Sequence, residues 1–348
     1  MNKEGITVAG NLIADVVYTI DVYPQKGNLT WMRNPVAHTG GINNLIIDLA
    51  RLDSKIPIKV SGVVGDDENG QFIVDSLREY PNINIEGIVK KGRTAVTFAM
   101  TEKESKQRTF FFDPGTSLEF NEKQIDFKKI KADIFHLEYL LLLGTLDQPD
   151  EDYGTKAAKV LATAQKYEME TSVDMVSEEG NRYQKVVWPA LKYTDYCVVN
   201  EVEGTGVTGI QLYDKDGIKE ENMRKGLEKL KELGVKKWAI IHSPACGYGL
   251  NCQTGEFVKV PSFKLPKGFI KGTTGAGDAF CSGVLYAAYQ RESIEKALYY
   301  GAITAACSLS KEDSTSGVMD LKEMKLFMKT NVRSEERRVG KECRSRWS

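Results

Sequence analysis

The sequence predicts an α/β fold with a mostly parallel central sheet and a small antiparallel β excursion beside it. Three observations carry this prediction. Apolar runs of strand length alternate with helical patterns through most of the 348 residues, the mark of βα units. Thr273-Thr274-Gly275-Ala276-Gly277-Asp278 runs into small apolar residues that read as a buried helix. Between residues 94 and 113 the pattern switches to β-rich segments around a charged turn.

Taken in order, residues 6–13 read as the first strand, and residues 44–52 as a helix with Leu45, Leu49 and Leu52 on one face. A strand over 58–64 and a helix over 70–80 follow. Further strands fit 133–137, 170–174, 195–199 and 237–241. Helices fit 152–167, 220–233, 277–290 and 294–309. Segments 94–101 and 107–113, together with 16–21 and 29–33, form a small sheet projecting from the main body. It reads either as an ordinary hairpin excursion or as a lid, over 16–33 and 94–113, that keeps water from a reaction.

The formal net charge of −1 leaves no basic footprint, which argues against a nucleic-acid partner. The longest apolar run, Leu140 to Leu143, is far short of a membrane span and ends at Gly144. The opening residues do not read as a signal peptide, and the six cysteines are scattered without metal-ligand spacing, so reduced thiols in a cytoplasm are expected. Residues 333–348 have no amphipathic period and read as a vector-derived tail, leaving residues 1–330 as the folded domain.

The chemistry concentrates in four places. In Thr274-Gly275-Ala276-Gly277-Asp278 the glycines let backbone N–H groups approach a ligand, and a helix start supplies unpaired N–H groups. Gly275, Ala276 and Gly277 therefore read as an anion hole, and Asp278, with no metal partner in the motif, as a group acting on a hydroxyl. The stretch is neither a Walker A loop nor a dinucleotide fingerprint. Asp15 closes the first strand, at the edge where open α/β sheets collect ligands, and a carboxylate there suits a polyol. Thr39-Gly40-Gly41-Ile42-Asn43-Asn44 leads into the first helix with glycines for close approach and amides for sugar hydroxyls. In the middle, Asn200-Glu201-Val202-Glu203 ends a strand with a polar cluster that by itself equally suits a helix start. His242 and Cys246 invite a nucleophile reading, but no acidic orienter is evident.

The GAGD core resembles the C-terminal signature of the PfkB (ribokinase-like) family of carbohydrate and nucleoside kinases. Gly40-Gly41 with Asn44, followed by Leu49-Ala50-Arg51-Leu52 and Gly62 to Gly70, resembles its N-terminal signature. That family usually shows three residues between Gly-Gly and Asn; here there are two, and Asn44 is preferred to Asn43 because it keeps its spacing to the helix. The resemblance implies a ribokinase-like three-layer sandwich with a β lid that often doubles as a dimer interface. It implies ATP and Mg²⁺, with Asn200 near the phosphates, Glu203 acting on the metal through water, and Gly247 and Thr274 on the nucleotide side. Gly272 stands where the family commonly carries an Asp for a monovalent cation, which puts K⁺ activation in question.

The expected activity is in-line transfer of the ATP γ-phosphoryl group to a sugar hydroxyl, with Asp278 as base and the 275–277 backbone as anion hole. Asp15, Gly40, Gly41 and Asn44 are the expected substrate contacts. A nucleoside kinase of the same family and a non-catalytic sugar-binding regulator are the alternatives. Lid side chains such as Arg108, Phe110 and Phe112 are expected to set specificity.

Overall fold

The structure, a computed structural model, describes residues 4–331 apart from 106, 179 and 216. The tail 333–348, with Cys343, lies outside the described residues. Twelve strands form one hydrogen-bonded system. Strands β1 (Ile6–Ile20), β2 (Met32–Gly41), β3 (Ile58–Val64), β4 (Ile83–Lys90), β5 (Ala95–Glu102) and β6 (Arg108–Asp113) make the N-terminal half. Strands β7 (Ile134–Leu140), β8 (Glu170–Met175), β9 (Tyr196–Asn200), β10 (Trp238–His242), β11 (Cys246–Asn251) and β12 (Phe257–Pro261) complete it. The helices are α1 (Ile42–Leu52), α2 (Glu68–Arg78), α3 (Lys156–Lys166), α4 (Tyr183–Leu191) and α5 (Glu201–Thr208), then α6 (Glu220–Glu232), α7 (Ala276–Tyr289), α8 (Ile294–Ser308) and α9 (Leu321–Asn331).

The central order is β12-β11-β10-β9-β8-β7-β1-β3-β4. It is parallel from β10 to β4, and antiparallel only where β11 and β12 are added. Two apolar cores lie on its two faces. Residues of α1, α2, α7, α8 and α9 fill one, and residues of α3, α4, α5 and α6 fill the other. This is the three-layer sandwich. The inner strands are buried on both faces, so they read as nearly continuous Val, Ile and Leu, and each such side chain contributes about 1.5–3 kcal/mol on burial.

β1 is the strand that builds the site. The sequence pattern separates residues 6–13 from 16–21, but the chain runs through both as one strand of 15 residues. Its first half lies in the central sheet beside β3 and β7. Its second half leaves that sheet and pairs β2 on one side and β5 on the other. The lid is therefore β2-β1-β5-β6. The pairs β1/β2 and β5/β6 are antiparallel, whereas β1 and β5 run parallel.

The expected lid strand over 29–33 is also displaced: β2 occupies Met32–Gly41 and carries the Gly-Gly pair at its end. Met32-Arg33-Asn34-Pro35 has no alternation to read, and Pro35 fits only a sheet edge. Helix α4, with Pro189 inside it, escaped the sequence reading for a similar reason. Among the described residues, no helix is long and apolar enough to cross a membrane.

Candidate active site

Helix α7 starts where the GAGD motif predicts. Gly275 caps it in the left-handed region (φ 79°, ψ 0°), where only glycine is unstrained. A Cβ there would also lie 2.4 Å from Ser314 Cβ. Ala276, Gly277 and Asp278 form the first turn, whose N–H groups have no intrahelical acceptor. Asp278 is the acidic residue of that turn, in favourable interaction with the helix dipole.

Two side chains from distant elements fix its carboxylate. Tyr139, near the end of β7, donates its hydroxyl to Oδ1 at 2.6 Å. Asn44, in the first turn of α1, donates Nδ2 to Oδ2 at 2.8 Å. Asn44 is held in turn by the Ser314 hydroxyl, which donates to its Oδ1 at 2.7 Å. Asn43 turns away and donates to the Gly40 carbonyl at 2.6 Å. The geometry thus selects Asn44 as the residue facing Asp278. Burial raises the Asp278 pKa, against the opposing bonds from Tyr139 and Asn44.

A cavity of about 510 Å³ opens in front of this group. Asp15, Gly41 and Asn44 line it together with Asn200, Glu203, Thr274, Gly275, Gly277 and Asp278. Gly40 sits just behind, paired with Ile13 across β1 and β2. Asp15 lies opposite His38 and Thr97 in the lid sheet. Burial is the main reason its pKa rises to about 6; a bond from Thr97 opposes the rise and the Asp278 charge adds to it.

Asn200 and Glu203 form a reciprocal capping box at the start of α5. The Asn200 side chain accepts from the N–H groups of Val202 and Glu203. Glu203 Oε2 accepts from Asn200 N at 2.9 Å. Its Oε1 accepts from Ser177 Oγ at 2.9 Å and Asn200 Nδ2 at 2.7 Å. The pair is thus a helix cap and a cavity wall at once. Burial raises the Glu203 pKa to about 7, against these bonds.

Gly247 is not among the cavity residues. It lies in β11 opposite His242, where an added Cβ would be 3.1 Å from the Phe280 ring. His242 stacks on Phe280 with centroids 4.6 Å apart, and burial lowers its pKa to about 4. Cys246 is buried and its thiol is pushed up to about 11. Both features oppose a nucleophile. At Gly272 a Cβ would be 2.7 Å from the Glu312 carbonyl oxygen, so the position has no room for a carboxylate in this loop arrangement.

The lid contributes Phe110 and Thr97 to the cavity. Arg108, at the start of β6, reaches the Thr274 hydroxyl with its guanidinium. Tyr139, Glu138, His136 and Asp174 were not singled out by sequence reasoning. Part of their signal was there: polar residues at every second position of a buried strand, His136 and Glu138, and an Asp near the end of one, Asp174; Asp15, expected to close the first strand, lies inside it because β1 runs on to Ile20. His136 and Glu138 are both fully buried, and burial drives the His136 pKa down to about 3, leaving a neutral imidazole.

The site joins a helix start with unpaired N–H groups, a fixed carboxylate and a polar cavity at a parallel-sheet edge, beside the small sheet of β2, β1, β5 and β6, an arrangement suited to phosphoryl transfer. Residues 4–320 match the model of the pfkB family carbohydrate kinases, and the chain belongs to that family. It is an enzyme that transfers a phosphoryl group to an alcohol. It is 28% identical over 277 residues to the probable fructokinase-7 of Arabidopsis thaliana, covering 76% of this chain and 75% of that one. It is 27% identical over 308 residues to the 5-dehydro-2-deoxygluconokinase of Listeria monocytogenes, covering 83% and 86%. The fold matches Arabidopsis thaliana ribokinase, solved with ribose and ATP, with a TM-score of 0.75 over 94% of this chain and 99% of that one, at 18% identity.

Proposed function

We propose that this carbohydrate kinase transfers the γ-phosphoryl group of ATP to a hydroxyl of an uncharged sugar. One observation carries the reading: the Asp278 carboxylate is clamped by Tyr139 and Asn44 at the start of α7, facing the same cavity as Asp15. The acceptor hydroxyl oxygen attacks the γ-phosphorus and forms the new P–O bond. The bond to the β-phosphate oxygen breaks, and ADP leaves with the electron pair. Asp278 takes the hydroxyl proton late in a loose transition state, so orientation matters as much as basicity. The N–H groups of Gly275, Ala276 and Gly277 face the charge on the transferring group.

The lining argues for a neutral acceptor. Asp15, Asp174, Glu203 and Asp278 are all carboxylates, and among the described residues no lysine or arginine lines the cavity. A sugar acid or sugar phosphate entering beside Asp15 would meet acidic side chains and no cationic one. Arg108 lies at the Thr274 end instead, on the phosphoryl side. Asp15, Gly40, Gly41 and Asn44 hold the sugar; Asn200 and Thr274 face the nucleotide. Mg²⁺ fits the oxygen donors present, with Glu203 acting through water, and supplies charge neutralisation of the phosphates when bound. Gly272 provides no side-chain ligand for K⁺. The exposed apolar residues of the lid, Leu29, Trp31, Met32 and Phe111, support pairing of two chains through it, and the scattered thiols support a cytoplasmic setting.

The test is ADP release with ATP and Mg²⁺ across fructose, ribose, 5-dehydro-2-deoxygluconate, ribose 1-phosphate and a set of nucleosides. Turnover is expected with a neutral sugar. Turnover confined to the acid or the phosphate would refute the charge argument, and turnover confined to nucleosides would select the nucleoside kinase. Release with none of them would favour a sugar-binding regulator.

A further inference from the structure

Asn44 is itself held from outside the cavity. Ser314, in the loop between α8 and α9, donates its hydroxyl to Asn44 Oδ1 at 2.7 Å. With that oxygen taken, the Nδ2 end of the amide faces the Asp278 carboxylate and donates to it at 2.8 Å. The same residue lies against the turn that starts α7: a Cβ added at Gly275 would be 2.4 Å from Ser314 Cβ and 2.9 Å from its Cα. Ser314 therefore meets both Asn44 and the glycine that caps the helix of Asp278.

The loop is tied to α1 a second time. Arg51, about two turns after Asn44 on that helix, donates Nη1 to the carbonyls of Ser316 at 3.4 Å and Val318 at 3.3 Å. Its Nε donates to the Tyr80 hydroxyl at 2.9 Å. Within the loop, Asp313 Oδ1 accepts from the N–H groups of Thr315 at 3.0 Å and Ser316 at 2.6 Å. These bonds fix the backbone that presents Ser314. Filling space is not the part of this side chain: Ser314 is buried, yet with Arg51 and Asp313 it borders a separate cavity of about 200 Å³. It does not line the main cavity, so it acts on the reaction only through Asn44 or Gly275.

We propose that Ser314 is a positioning residue for phosphoryl transfer: its hydroxyl, held in place by Arg51 and Asp313, orients the Asn44 amide and through it the Asp278 carboxylate. A carboxylate that accepts its proton late works by holding the acceptor hydroxyl in line, so the aim of its oxygens decides the rate. Tyr139 fixes Oδ1 directly. Ser314 fixes Oδ2 at one remove. The proposal rests on the reading of Asp278 as the proton acceptor, and on no particular sugar.

The experiment pairs kinetics with nuclear magnetic resonance on the full chain. The Asn44 side-chain amide signal, identified by its loss in Asn44→Ala, is expected to shift and broaden in Ser314→Ala with no substrate added. With the sugar that turns over fastest, Ser314→Ala should lower kcat about tenfold while the ATP KM stays put. In an Asn44→Ala background the same substitution should change kcat less than about twofold, because the two residues act in series. Circular dichroism and thermal melts confirm folding, and Ser314→Cys, with a weaker donor, carries the test if Ser314→Ala does not fold. An unchanged Asn44 signal, or wild-type kcat in Ser314→Ala while Asp278→Asn is inactive, would overturn the proposal. An equal loss of kcat in the Asn44→Ala background would overturn it too, and would place the effect at Gly275. Turnover kept in Asp278→Asn would instead overturn the reading of Asp278, while the amide signal still decides whether Ser314 holds Asn44.

Discussion

Asp48 offers the sharpest stability prediction. It lies in α1, one helical turn after Asn44, and is fully buried. Neither carboxylate oxygen has a hydrogen-bond partner among the described residues. Burial raises its pKa well above the usual range, the charges of Asp278 and Asp313 add to this, and Arg51 opposes it. Removing an unsatisfied buried polar group should relieve about 1–3 kcal/mol. Asp48→Ala should add a further ~0.5 kcal/mol from helix propensity, independent of pH. The charge part has a definite sign. The folded state holds a proton that the unfolded chain, with a pKa of about 3.9, gives up. The Asp48 contribution to wild-type stability therefore falls as pH rises above about 4, by up to ~1.4 kcal/mol per unit, until the raised folded pKa is passed. Asp48→Asn removes only this part. Thermal or urea melts of wild type, Asp48→Ala and Asp48→Asn between acid and neutral pH provide the assay. Both variants should gain on wild type as pH rises, by roughly 2 °C per kcal/mol. A gain that does not change with pH, or a loss in both variants, would refute the reasoning.

Other expectations follow from the site. Asp278→Asn should lower kcat by about 10²–10⁴-fold with sugar binding largely kept; turnover within tenfold of wild type would remove Asp278 from its role. Tyr139→Phe deletes one of the two bonds that fix that carboxylate, so kcat should fall about tenfold with little change in KM, and an unchanged kcat would show that Asn44 alone suffices. Asp15→Ala should raise the sugar KM about 10- to 100-fold through loss of charged hydrogen bonds while the ATP KM stays put; equal changes in both would contradict the division of the cavity. Gly275→Ala should cost about 1–2 kcal/mol from the left-handed backbone alone, plus the clash with Ser314, and a melt matching wild type would disprove that strain.

Much of the site was legible because its parts are local in sequence. Gly275 to Asp278 is a turn and a helix start, and two glycines followed by small apolar residues betray both. The capping pair Asn200 and Glu203 is equally local, although the same residues serve as a helix cap and as a cavity wall, so their pattern alone could not choose. The body of the sheet was read from apolar periodicity. The lid boundaries were not, because β1 continues from one sheet into another without a break in composition, and β2 is an edge strand with Asn34 and Pro35 in it.

By itself, the sequence determined the strand–helix alternation, the glycine-rich turn and the carboxylate in the first turn of the helix after it, since each is set by neighbours within a few residues. Only the tertiary structure decided that Tyr139 and Asn44 clamp Asp278, that Arg108 crosses to Thr274, and that Glu138 and Asp174 meet Asp278. These contacts join residues 104 to 234 positions apart on separate elements. Their geometry is fixed by sheet order and helix packing, which depend on the whole core and not on any local pattern.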